Sequence, residues 1–128
     1  MAVDPDKAVL NAFATHGPDG PFVMLNLLRF TPDGRRSYEE YSRRAAVFLS
    51  RYGGELLYAG DGDTPLMAGE GQTWDAVLLV RYPSREAFSS MVTDPDYQQI
   101  TALRTRALSE AVLQPTAPWA SRLGPRPS

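Results

Sequence analysis

Apolar residues from Phe22 to Phe30 (FVMLNLLRF) fall on both parities of an extended segment. Phe22, Met24, Leu28 and Phe30 share one side with Asn26, and Val23, Leu25 and Leu27 share the other with Arg29. A strand apolar on both sides has to be covered on both sides. WDAVLLVRY, Trp74 to Tyr82, repeats the pattern, while Glu55 to Ala59 and Ser109 to Gln114 read as shorter strands bounded by turn residues.

Helical spacing fills the intervals. Asp4 before Pro5 reads as an N-cap with proline at the first helical position, followed by Val9, Leu10 and Phe13 and an end near His16. Ser37 and Glu40 form a capping box for a helix that runs to Gly53-Gly54, with Tyr38, Tyr41, Ala45, Phe48 and Leu49 as its apolar stripe. Ser84 opens a helix through Phe88 and Met91, and Asp94-Pro95 restarts it with Tyr97, Ile100 and Arg104 on one stripe. GPDGP and TPDGR carry turn chemistry, and residues 115–128 read as a proline-rich tail on a single domain spanning 1–114.

The order after the leading helix is β-α-β-β-α-β, an α+β, ferredoxin-like arrangement with an extra N-terminal helix. Two helices cover one face of a four-stranded sheet. Val23, Leu25, Leu27, Val77 and Leu79 therefore need a second cover, and another copy of the same sheet is the simplest one, so a homodimer packed through that face is expected.

Composition narrows the chemistry. The 13 Lys+Arg against 15 Asp+Glu form no basic stripe, which argues against a nucleic-acid partner. Without cysteine, and with His16 as the one histidine, a thiol nucleophile, a disulfide framework and a structural zinc site are all disfavoured. The acidic start MAVDPDKAVL lacks a signal-peptide pattern, and no run approaches the ~20 apolar residues of a membrane span, so a soluble, cytoplasmic protein is expected. DGDTPLMAGEGQ has Pro65 and Gln72 where a calcium loop needs ligands, and reads instead as a mobile loop at a pocket mouth.

MLNLLRF, the tyrosines Tyr38 and Tyr41, Gly53-Gly54, WDAVLLVRYPS, Phe88, DPDY ending in Tyr97, and RTRAL together resemble family 1330 of the domains of unknown function, over about Pro21 to Leu113. The resemblance implies a dimeric α+β barrel, a superfamily whose enzymes resemble one another in using a pocket between helices and sheet. Haem-degrading members place an asparagine on the first strand and a tryptophan on a later one, which Asn26 and Trp74 match. Their helical histidine ligand has no counterpart: Arg104 stands there, preceded by Leu103 where many members of the unknown-function family have histidine. That departure argues against haem ligation, and no cofactor or metal is expected.

Asn26 and Arg104 are the candidate catalytic residues. An amide costs roughly 1–3 kcal/mol when buried without partners, so Asn26 either bonds neighbouring backbone or aims at a ligand carbonyl or oxyanion. Arg104 either anchors an anionic ligand or pairs internally with Glu40, Asp75 or Glu110. Tyr41, Trp74, Tyr97, Met24 and Phe88 are candidate substrate-binding residues, with core packing as the alternative for the aromatics. Asp75, adjacent to Trp74, is expected at a strand edge or dimer interface, and His16 at a solvated helix end. These readings support a small-molecule-binding protein, either a cofactor-independent isomerase, cyclase or oxygenase acting on a small aromatic or enolisable substrate, a non-catalytic metabolite binder, or a purely structural dimer.

Overall fold

A computed structural model of the chain describes residues 3–17 and 20–119. The elements are α1 (Lys7–Thr15), β1 (Phe22–Phe30), α2 (Gly34–Arg51), β2 (Glu55–Asp61), β3 (Ala76–Tyr82), α3 (Arg85–Thr93), α4 (Pro95–Gln98), α5 (Thr101–Ala107) and β4 (Leu108–Thr116). The strands make one antiparallel sheet in the order β2-β3-β1-β4. The two strands apolar on both parities, β1 and β3, thus occupy its centre, in the ferredoxin-like α+β fold with an added N-terminal helix.

All the helices pack on one side. Phe22, Met24, Val80 and Tyr82 from the sheet join Tyr41, Phe88, Met91, Tyr97 and Ile100 in the main core, while Leu28 and Ala76 join Ala107 and Leu108 in a second cluster. Val23, Leu25, Leu27, Val77 and Leu79 belong to neither cluster and are only half-buried. The period of two along each strand places them together on the opposite face, where β1 pairs Leu25 with Leu79 and Leu27 with Val77.

Several boundaries differ from the sequence reading, each through a contact distant in the chain. Asp6, not Asp4, caps α1, accepting from Ala8 N at 2.8 Å and Val9 N at 3.3 Å. Asp4 is held elsewhere, by Thr105 Oγ1 at 3.0 Å and near Arg104. Helix α2 begins at Gly34, ahead of the Ser37–Glu40 box, because Gly34 packs directly on the end of α5: an added Cβ would lie 2.0 Å from the Ala107 carbonyl oxygen. Glu40 binds Arg43 at 2.8 Å and Arg44 at 3.1 Å instead of closing a cap. The far end of α2 matches expectation, with Gly53 at φ 77° and Gly54 N donating to Leu49 O at 2.8 Å.

Strand β3 starts at Ala76, since Trp74 and Asp75 form a lead-in. Asp75 N donates to Leu28 O at 2.8 Å and the Asp75 carboxylate accepts from Phe30 N at 2.8 Å, the strand-edge role expected for it. Strand β2 continues to Asp61 and shifts register between Leu56 and Tyr58. Strand β4 continues through Pro115 and Thr116. Pro115 stands opposite Met24, and alternation from Leu28, whose carbonyl turns to β3, turns Met24 to β3 as well; the missing N–H of Pro115 therefore falls on the open edge, where it breaks no ladder bond. Residues 18 and 19 of the expected GPDGP turn and 120–128 of the expected tail lie outside the described residues.

Leu28 is fully buried where β1 meets the end of α5. Leu28→Ala is predicted to lower unfolding stability by about 2–5 kcal/mol in a denaturant titration. A loss below about 1 kcal/mol would mean that this cluster is not close-packed.

Candidate functional site

Between the helices and the sheet lies a cavity of about 300 Å³. Its floor is the β1–β4 half of the sheet: Met24, Ala111, Leu113 and Pro115. Phe88 of α3 and Arg104 of α5 form one wall. The remaining wall comes from the N-terminal segment, namely Val3, Asp4 and Pro5 of the arm before α1 and Val9, Leu10 and Phe13 of α1 itself.

Helix α1 closes this space through partial contacts. It has no fully buried residue, and its inward side chains, Leu10 and Phe13, lean on the main core. Phe13 meets Phe22 and Phe88 edge-on at 5.3 and 5.7 Å, and Arg85 lies over its ring at 4.3 Å while donating to its carbonyl at 3.3 Å. A cation bonding a last-turn carbonyl also complements the helix dipole. His16 ends the helix as expected, exposed and bonded to Thr15 Oγ1 at 2.9 Å.

Arg104 is the buried charge on the cavity wall. Neither Glu40, Asp75 nor Glu110, the internal partners considered from the sequence, reaches it; Glu110 pairs with Arg29. Its partners among the described residues come from the arm: Nη1 donates to the Val3 carbonyl and lies 3.6 Å from Asp4 Oδ1. Behind it stand Tyr38, Tyr41, Tyr82 and Tyr97. The hydroxyls of Tyr41 and Tyr97 share a hydrogen bond of 2.6 Å. Burial pushes Tyr38 up to about 12 and raises Tyr41, Tyr82 and Tyr97, opposed in each by the Arg104 guanidinium. At neutral pH these hydroxyls are therefore proton donors rather than bases.

Of the residues singled out in the sequence, the cavity brings together Met24, Phe88 and Arg104. Asn26 stands on the same face of β1, between Met24 and Leu28 and opposite Leu113, but off the wall. It is half-buried, and its Nδ2 donates to the carbonyl of Met24 at a long 3.3 Å. Tyr41 and Tyr97 are core members bonded to each other behind the wall. Trp74 lies at the end of the sheet under Arg29, whose guanidinium carbon is 4.6 Å from its ring centroid, so it does not approach the cavity. The loop after β2 contributes no lining residue; Arg29 ties its end through the carbonyls of Gly71 and Thr73, each at 2.7 Å. The N-terminal wall escaped the sequence reading, although the triad Val9, Leu10 and Phe13, outside the β-α-β-β-α-β set, signalled an apolar surface in need of a partner. Among the described residues no cluster of three or more His, Cys, Asp or Glu side chains suits a metal, and no helix is long and apolar enough to cross a membrane.

A four-stranded antiparallel sheet carrying helices on one face, with a cavity between the layers, defines a ferredoxin-like α+β domain. The chain belongs to the family described as Domain of unknown function (DUF1330), whose pattern matches residues 26–114. It is similar to a protein of unknown function from Rhodopseudomonas palustris, at 31% identity over 91% of this chain and 95% of that one, with a TM-score of 0.82. The fold is shared with an uncharacterized NIPSNAP domain protein from Burkholderia xenovorans (16% identity, 82% and 99% of the chains, TM-score 0.60). It is shared too with a dimeric ferredoxin-like protein of unknown function from Thermobifida fusca (14% identity, 80% and 95%, TM-score 0.52). No curated protein matches the chain.

The tyrosine cluster carries a pH signature. A hydroxyl whose folded pKa is raised contributes stability that is complete below its unfolded value of 10.0 and is lost as pH rises toward the folded value, about 12 for Tyr38. Tyrosinate absorbance of Tyr38, Tyr41, Tyr82 and Tyr97 is predicted to appear together with alkaline unfolding, above about pH 10. Ionisation of these four tyrosines near pH 10 with the fold intact would contradict the burial described.

Proposed function

We propose that this chain is a small-molecule-binding protein that works as a homodimer. The cavity of about 300 Å³ walled by one buried arginine carries the first part of the reading: a mostly apolar space of that size with a few convergent polar groups matches the general form of a ligand site. The second part rests on the face of the sheet that no helix among the described residues covers, where Val23, Leu25, Leu27, Val77 and Leu79 form a continuous apolar layer. Tyr58 flanks it from β2, paired with Leu79. A second copy brings an identical layer, and a two-fold pairing buries both at once.

A catalytic version of this reading has a specific support in the polar groups around the cavity. Arg104 is a fixed positive charge, and behind it the Tyr41–Tyr97 pair keeps its protons, with one of the two hydroxyl protons not consumed by the shared bond. Such groups stabilise negative charge developing on an enolisable or aromatic substrate, with no cofactor. Asn26 would add an amide beside the cavity floor. Asp4 is the one carboxylate on the described wall and is already engaged by Thr105, so the substrate would have to ionise readily.

Native mass spectrometry of the purified protein tests the pocket. The expected result is a non-covalently held small molecule in the parent, reduced at least about tenfold in Leu113→Trp, which fills the floor at a packing cost of about 1–3 kcal/mol. A bare parent spectrum, together with a Leu113→Trp variant at least as stable as the parent, would identify the space as a packing defect rather than a site.

A further inference from the structure

The two groups that meet Arg104 come from one dipeptide. The Val3 carbonyl accepts from Nη1, the Asp4 carboxylate lies 3.6 Å from the same nitrogen, and both residues line the cavity. The Val3 side chain rests on the cluster that contains Leu28, the neighbour of Asn26 on the helix side of β1. Val3-Asp4 therefore presents to the pocket a branched apolar group and a carboxylate, which is the chemistry of a small apolar acid.

The attachment of this dipeptide is weak by the same geometry. The Asp4 side chain is 53% exposed against 10% for Arg104, so the buried cation is matched by a carboxylate that sits mostly in water. An ion pair with one partner so exposed contributes little. Helix α1, which follows, has no fully buried residue, and Val9 on it remains largely exposed. The arginine, by contrast, is fixed on α5, and the floor beneath it is sheet. A charge held rigidly on the body and neutralised by a loosely held segment is a site in which that segment can be exchanged.

Resting on the reading of the cavity as a ligand site, we propose that its ligand is a small carboxylic acid with an apolar body, which binds Arg104 by displacing Val3-Asp4. The planar guanidinium accepts a carboxylate in bidentate fashion, which the arm, offering one carbonyl and one distant carboxylate oxygen, does not supply. The arm acts as a built-in competitor, so that the measured affinity is the intrinsic affinity scaled by the fraction of molecules with the arm displaced.

The matched probes phenylacetate and phenylacetamide, which share a shape and differ in charge, test this by titration calorimetry. Phenylacetate is expected to bind the parent at least about tenfold more tightly than phenylacetamide, through the charge-assisted bond to Arg104. Asp4→Asn is expected to tighten both probes by the same factor, roughly threefold to fivefold, because it raises the displaced fraction that either probe requires. Arg104→Gln should remove the difference between the probes; because that variant alters a buried position, the exposed Asp4→Asn substitution is the deciding one. Equal binding of both probes, indifferent to Asp4→Asn, would overturn the carboxylate assignment while leaving the pocket standing. Weaker phenylacetate binding by Asp4→Asn would overturn the competition by making the arm part of the site. Absence of binding by either probe to any form would remove the pocket reading and this inference together.

Discussion

Leu25, Leu27, Val77 and Leu79 point away from every helix in the structure, and that unmet burial is the constraint on which the rest of the molecule depends. Transfer of such side chains from water is worth about 1.5–3 kcal/mol each, so selection for an apolar second face makes sense only if something covers it. The helices cannot, because the β-α-β-β-α-β connection sends them all to the other side. The proposed pairing of two sheets resolves the conflict and frees the helix side from that task. The space left there, between α1, α5 and the β1–β4 half of the sheet, then becomes available for a ligand.

Arg104 is what gives that space chemistry. A guanidinium taken out of water needs compensation, and the nearby tyrosines, held protonated by burial, bring no opposite charge. The compensating carboxylate comes from the arm, which lies outside the span matched by the family pattern, 26–114. The matched span thus presents an arginine, and a segment in front of it closes the cavity around it. In the proposed ligand site, specificity would accordingly reside in the N-terminal wall as much as in the sheet.

The sheet was legible in the sequence because its signal is periodic and local. Both-parity apolar runs placed β1 at its observed bounds and β3 within two residues, and the glycine pair after Tyr52 marked the end of α2. The start of α2 was not legible, since the capping box at Ser37 is a local signal, whereas the fit of Gly34 against Ala107 spans most of the chain. The same holds for the site. Arg104 was recognisable from its spacing to Tyr97 and Ile100, but its bond to Val3 joins residues 101 apart, and no local pattern distinguishes Asp4 as a partner from Asp6 as a cap. Trp74 fitted the alternation of a strand that had in fact not yet begun, so its ring was free to settle under Arg29.

Sedimentation equilibrium at micromolar protein tests the central constraint most directly. A single species of twice the 14.1 kDa chain mass, persisting on dilution, is expected. A stable, fully folded species at 14.1 kDa would contradict it, because the second face of the sheet would then have no partner sheet, and none of the described helices lies on it.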